Sequence, residues 1–144
     1  MNNKILEILE YDKLKHLADK YLSTAAGMKE LKQLAPVSKI DTVQWMIDET
    51  TDAADINRLV GPIPVPSLDD INPQLKRLKV HASLNGTELS QIAKVLKATM
   101  AMTNFFERLS DDQVHLRHLY DVQSQLVTIP DVTNRLLKSV DEDG

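Results

Sequence analysis

Cysteine is absent from this 144-residue chain. Its absence excludes a disulfide framework, a thiolate zinc site and a cysteine nucleophile, and it favours a reducing, cytosolic setting. Aromatic residues make up only 4% and glycine occurs four times. Proline and glycine are together too scarce for a low-complexity chain, while a hydrophobic content of 42% is too high for a disordered one. No apolar run approaches the roughly 20 residues that span a bilayer. The start, Met1-Asn2-Asn3-Lys4-Ile5, has a charge but no apolar core of a secretory signal. No glycine is followed by lysine, which removes the Walker A phosphate loop. The G-x-S-x-G elbow, the H-E-x-x-H pair and the Ca²⁺ loop are missing as well. Hence no catalytic residue is assigned, and no cofactor is expected within these residues. What remains is one helical domain over 1–144, long enough to bury roughly two-thirds of its unfolded surface.

Apolar residues recur at helical spacing. Leu14, Leu17, Ala18, Tyr21 and Leu22 form one stripe, at i, i+3, i+4, i+7 and i+8. A second helix is expected from about Ala25 to Ala35, ended by Pro36. Ser38 with Asp41 resembles an N-terminal cap, opening a third helix to about Leu59 with Ile40, Val43, Ile47 and Ala54 on one face. Gly61-Pro62-Ile63-Pro64-Val65-Pro66-Ser67 cannot be helical. Alternate prolines make residues 61–67 a stiff, extended connector inside the domain. Asn72-Pro73 reads as a capping residue followed by proline at the first helical position. Asn85-Gly86-Thr87-Glu88 reads as a capping box for the longest helix, about Thr87 to Leu109, striped by Leu89, Ile92, Ala93, Leu96, Met100 and Thr103. Asp111-Asp112 suit the start of another helix, and a last one follows Pro130. With no strand-like alternation, the fold class is all-α, a multi-helix array or bundle of about six or seven helices.

Charge is segregated. Residues 73–109 carry six basic residues against two acids, and residues 40–72 carry seven acids against Arg58 alone. Lys76, Arg77, Lys79, Lys94 and Lys97 are the candidate nucleic-acid-binding surface; ordinary solvated faces are the plainer explanation. A pI near 5.5 lies far below the value of about 9 or more typical of a self-sufficient nucleic-acid module. The metal candidate is Asp111, His115 and His118, which a helix would place at i, i+4 and i+7 on one face, with Asp121 a turn further on. Arg117 adds positive charge beside them, histidines near acids by chance explain them as well, and no metal site is assigned. Phe105-Phe106-Glu107 looks like a Phe-x-Glu base-stacking wedge, but Phe106 continues the apolar stripe and reads as core. Trp45 likewise reads as packed on a neighbour, because the acids around it would repel phosphate.

Leu9-Glu10-Tyr11-Asp12-Lys13-Leu14, then Ser23-Thr24, Gly27, Leu31, Leu34 and Pro36, resembles the start of the MutS-two family, the second bacterial branch of the MutS proteins. The likeness runs on through Asp48-Glu49-Thr50 with Ala53, Pro64, Asp70-Ile71 and Leu75-Lys76-Arg77. It continues through Leu84, Glu88-Leu89, Ile92 and Leu96 to Val140-Asp141-Glu142-Asp143-Gly144. Asp52-Ala53 stands where the family often has Glu-Ala. The resemblance implies an N-terminal fragment forming the first part of the MutS core and lever. It implies a full-length bacterial, cytoplasmic ATPase and endonuclease that uses ATP and Mg, is homodimeric, and acts on branched or duplex DNA, on ribosomes, or on both. The implied roles are suppression of homologous recombination and splitting of collided ribosomes, with this segment structural and transmitting motion between clamp and ATPase. No catalytic residue of the family maps onto the chain. The alternative is a free-standing helical protein-interaction module with no nucleic-acid role. A metal-dependent helical enzyme built on Asp111, His115 and His118 is a third reading. No membrane partner is expected.

Overall fold

The structure is a computed structural model that describes residues 3–109 and 114–140, apart from the side chains of Asn3 and Ile5. Eight helices are found among the described residues: α1 (Asn3–Ile8), α2 (Tyr11–Asp19), α3 (Ala25–Gln33), α4 (Ile40–Leu59), α5 (Asn72–Lys79), α6 (Gly86–Glu107), α7 (Leu119–Ser124) and α8 (Pro130–Ser139). The fold is all-α, and no strand is present among the described residues; a single parallel bridge joins Thr24 to Leu68. The expected six or seven helices become eight partly because the first twenty residues split. Glu10 adopts a left-handed conformation (φ 52°) and separates α1 from α2.

Local chemistry explains most of the boundaries. The Thr24 hydroxyl accepts the Gly27 N–H at 3.0 Å and caps α3, satisfying one of the donors a helix start leaves free. That helix ends at Gln33, short of the expected Ala35, ahead of the extended backbone that Pro36 favours. Lys39, not Ser38, occupies the cap position of α4, without a side-chain bond, so the expected Ser38 cap lies one residue out of register. At α5, Asp70 takes the capping role assigned to Asn72, accepting the Asn72 backbone N–H at 2.9 Å. Asn72 itself is the first helical residue and Pro73 follows it. The capping box at α6 forms as expected: Asn85 Oδ1 accepts the Glu88 N–H and Glu88 Oε2 accepts the Asn85 N–H, both at 2.9 Å.

The connector over 61–67 forms no regular element and has no cis peptide bond, and within it the Val65 N–H turns back onto the Ile63 carbonyl at 2.8 Å. Gly61 closes α4 at φ 125°, a conformation a side chain would strain. Beyond the connector, the Ala25 N–H donates to the Leu68 carbonyl at 3.1 Å and the Ser23 hydroxyl to the Val65 carbonyl at 3.3 Å. These bonds hold the connector against the start of α3.

The core lies where the last turns of α4 and α6 meet the segment leading into α7. Ile56, Phe106, Leu109, Val114 and Leu116 form one buried cluster, flanked by Ile63, Met102, Phe105, Leu119 and Tyr120. Helix α6 also packs on α7 and α8, and α4 on α7. The inward face of α4 is not the one expected. Ile40 and Ile47 are exposed, whereas Asp52 and Ile56 are fully buried. Of the Leu14, Leu17, Ala18, Tyr21 and Leu22 stripe, Leu14, Leu17 and Tyr21 likewise face outward, while Ala18 and Leu22 are half-buried. Phe106 is core, as read from its stripe, and meets Phe105 edge-on at 5.7 Å between ring centres.

Candidate functional site

Helix α5 ends in Lys76, Arg77 and Lys79, cations suited to the negative end of a helix dipole. Its last turn closes in a Schellman arrangement: the Ala82 N–H reaches the Arg77 carbonyl at 3.0 Å and the His81 N–H the Leu78 carbonyl at 2.9 Å. His81 supplies the left-handed residue that this motif needs, at φ 56°. Arg77 then turns back over the α5–α6 loop. Its guanidinium pairs with Glu88 and donates to the Ser83 carbonyl, bracing the same Glu88 that closes the capping box. Deeper between the helices, Gln74 Nε2 donates to Gln91 Oε1 at 2.7 Å and Gln91 Nε2 to Asp69 Oδ2 at 3.4 Å, linking α5, α6 and the connector's end. Lys76 and Lys79 are exposed. Asp70, beside them, is held below its ordinary pKa by the backbone and side-chain donors of Asn72, with Lys29 and Lys76 adding to the effect.

Lys94 and Lys97 lie elsewhere on the molecule's basic stretch. One turn apart on α6, they line a groove of about 690 Å³ with Ala98 and Ala101, opposite Pro62 to Leu68 of the connector. No α5 residue lines this groove. The five basic residues singled out in the sequence thus fall into two sets. In the α5 set, Arg77 is committed to contacts within the chain, whereas the α6 pair flanks a concave, mainly apolar surface.

The histidine segment does not form the helical face expected of it. Asp111 lies outside the described residues. Residues 114–116 form no regular element, and α7 begins only at Leu119. Val114 and Leu116 are buried while His115 and Arg117 are exposed, so alternate residues face the core. His115 therefore points away from the core, and His118 turns toward α4. The His118 ring lies 5.4 Å from that of Trp45, and its Nε2 is 3.6 Å from Asp48 Oδ2. Among the described residues no group of three His, Cys, Asp or Glu side chains is placed to hold a metal ion.

Sequence reasoning missed Asp52. This carboxylate, 0% exposed, accepts the backbone N–H groups of Arg117 and His118 at 2.7 Å each and of Leu119 at 3.2 Å, all on Oδ2. The Arg117 guanidinium adds a 3.2 Å contact to Oδ1. Burial pushes the Asp52 carboxyl up, but the three backbone donors and Arg117 outweigh it and hold the group below its ordinary 3.8. Glu49, one turn earlier, is raised by burial and by the nearby Asp52 charge, with His118 opposing. Asp52 thus caps the start of α7 from a different helix and clasps α4 to α7.

No family model matches the chain. Across all its residues the chain is 44% identical to Endonuclease MutS2 of Latilactobacillus sakei, 47% to that of Levilactobacillus brevis and 38% to that of Enterococcus faecalis. Along its whole length the chain is therefore similar to part of these MutS2 endonucleases. It covers only 18% of the length of these three relatives. Features of the MutS2-type resemblance have physical counterparts here. Thr24 and Gly27 form the α3 cap, and a Cβ on Gly27 would stand 3.1 Å from the same Thr24 hydroxyl. Asp70-Ile71 opens α5 and Glu88 closes the capping box, whereas Asp52, at a departure from that pattern, forms the clasp.

Proposed function

We propose that this segment is the first part of the helical core and lever of a larger DNA-acting endonuclease of the MutS2 type. Its task is mechanical: it passes movement between an ATPase end and a DNA clamp. The single observation that carries the reading is the likeness to MutS2 relatives along the entire chain. The Asp52 clasp suits such a task, since it joins two helices far apart in sequence through a contact that is either made or broken. The full-length protein is then a cytoplasmic homodimer that binds branched or duplex DNA, ribosomes, or both, suppressing recombination and splitting stalled ribosomes.

The residues described here do not fit a nucleotide. Gly27 sits inside α3, Gly61 ends α4 and Gly86 opens α6, and none of them precedes a lysine. On this reading ATP and Mg are held by other parts of the full-length protein. The test uses that protein with Asp52→Asn, which weakens the clasp without touching a phosphate-loop residue. DNA-stimulated ATP hydrolysis is expected to fall while basal hydrolysis persists; an unchanged stimulation would remove the mechanical role. Contact with nucleic acid is tested on the segment itself with branched DNA, duplex DNA and ribosomes over a salt series. Weak, salt-sensitive binding that drops on charge reversal at Lys76 and Lys79 is expected, because few phosphates can be neutralised. Tight, salt-insensitive binding would contradict it.

A further inference from the structure

The groove between the connector and α6 is assigned no role by the reading above. Its connector wall includes Ile63, Pro64 and Val65, its α6 wall is made of Ala98 and Ala101, and Lys94 and Lys97 stand on that same helix. Neither lysine has an ion-pair partner among the described residues. Although the chain as a whole carries a net charge of -4, Lys94 and Lys97 place two positive charges side by side along this mainly apolar cleft. We propose that this groove binds an extended acidic peptide segment, one that alternates carboxylate and aliphatic side chains.

The reasons are geometric and electrostatic. Residues three apart on a helix stand about 4.5 Å apart along its axis, and alternate residues of an extended peptide repeat every 6.6–6.8 Å or so. Two carboxylates separated by one residue therefore reach both ammonium groups, while the intervening side chain turns toward the aliphatic walls. A volume near 690 Å³ suits a short peptide, since ligand clefts run from about 300 to 1,000 Å³. Pro62, Pro64 and Pro66 offer no N–H donors, so recognition rests on side chains rather than on strand addition. A nucleic-acid strand is the less suitable occupant. The groove holds no aromatic ring on which a base could stack, and two cations neutralise few phosphates. Asp69 and Asp70 follow directly on its Leu68 end.

The experiment measures fluorescence anisotropy of a labelled peptide with two glutamates separated by a single valine and flanked by valines, mixed with this chain. Saturable binding that weakens with salt is expected. Lys94→Glu with Lys97→Glu should weaken it by roughly tenfold or more, because rim charges set such encounters, with the helical circular dichroism unchanged. Lys79→Glu, outside the groove, should leave it intact. Lys97→Gln, which removes charge without reversing it, should have an intermediate effect. Equal loss from Lys79→Glu would show diffuse charge attraction and overturn the proposal. So would binding of labelled oligothymidylate in the groove with no peptide binding, or no binding of the peptide at all.

Discussion

A carboxylate with no solvent contact is among the costliest groups to place inside a protein, and Asp52 is stable there because its charge is shared among three N–H donors and Arg117. Asp52→Ala leaves those donors facing a void and is expected to cost about 3–5 kcal/mol. Asp52→Asn keeps one acceptor oxygen and should cost less; urea unfolding of both variants checks the order. The pH dependence follows from the direction of the shift. The folded carboxyl titrates below its ordinary 3.8, so its stabilisation is complete above that value and is lost as pH falls through the folded one. Glu49 runs the other way: raised from 4.5, it contributes below that value and loses its contribution as pH rises through its folded pKa. Stability measured down the acid limb should therefore fall more steeply in the native chain than in Asp52→Asn. Nothing local in the sequence singles out Asp52 among the acids of α4, because its partners stand 65 to 67 residues away. The Asn85–Glu88 box was legible because both members lie three residues apart.

The elements show the same division. Some helix starts set by neighbouring residues were readable, among them the Asn85–Glu88 box of α6 and the Pro130 start of α8, whereas the Ser38 and Asn72 caps each fell one residue out of register. The inward face of α4 was not readable, since a buried acid breaks the apolar pattern that marks a core face, and Ile40, Ile47 and Ala54 point outward while Ile56 turns in. The α7 segment was misread for a related reason. Its histidines and acids have helical spacing, but Val114 and Leu116 are buried with His115 exposed between them, in a segment that is not helical. Of the basic surface, residue type and position were legible, whereas the split into two sets depends on how α5 folds over α6. Two helix-end variants test the local reading. His81→Gly should stabilise by about 0.5–1 kcal/mol, since relief of the left-handed strain exceeds the extra freedom of the unfolded chain. Asn85→Ala should cost about 1 kcal/mol through the lost cap. Thermal denaturation followed by circular dichroism reads both shifts.

For the whole molecule, the distribution of apolar side chains decides where stability resides. Ile56 is 0% exposed at the centre of the buried cluster, whereas Leu17 on α2 is 62% exposed. Ile56→Ala should cost about 2–5 kcal/mol, and Leu17→Ala no more than about 0.5 kcal/mol, as measured by urea denaturation. A large loss at Leu17 would mean that α2 packs far more tightly than its exposure indicates. The Asp52 clasp has a further consequence, for how the molecule opens. The amide protons of Arg117, His118 and Leu119 are bonded to a side chain on α4, so their release requires that helix to move or unwind. In a hydrogen-exchange experiment these three amides should share one exchange free energy with the second half of α4, behaving as a single cooperative unit despite their distance along the chain. Because that unit forms only once a loop of some sixty-five residues has closed, it should be among the last parts of the protein to gain protection during refolding.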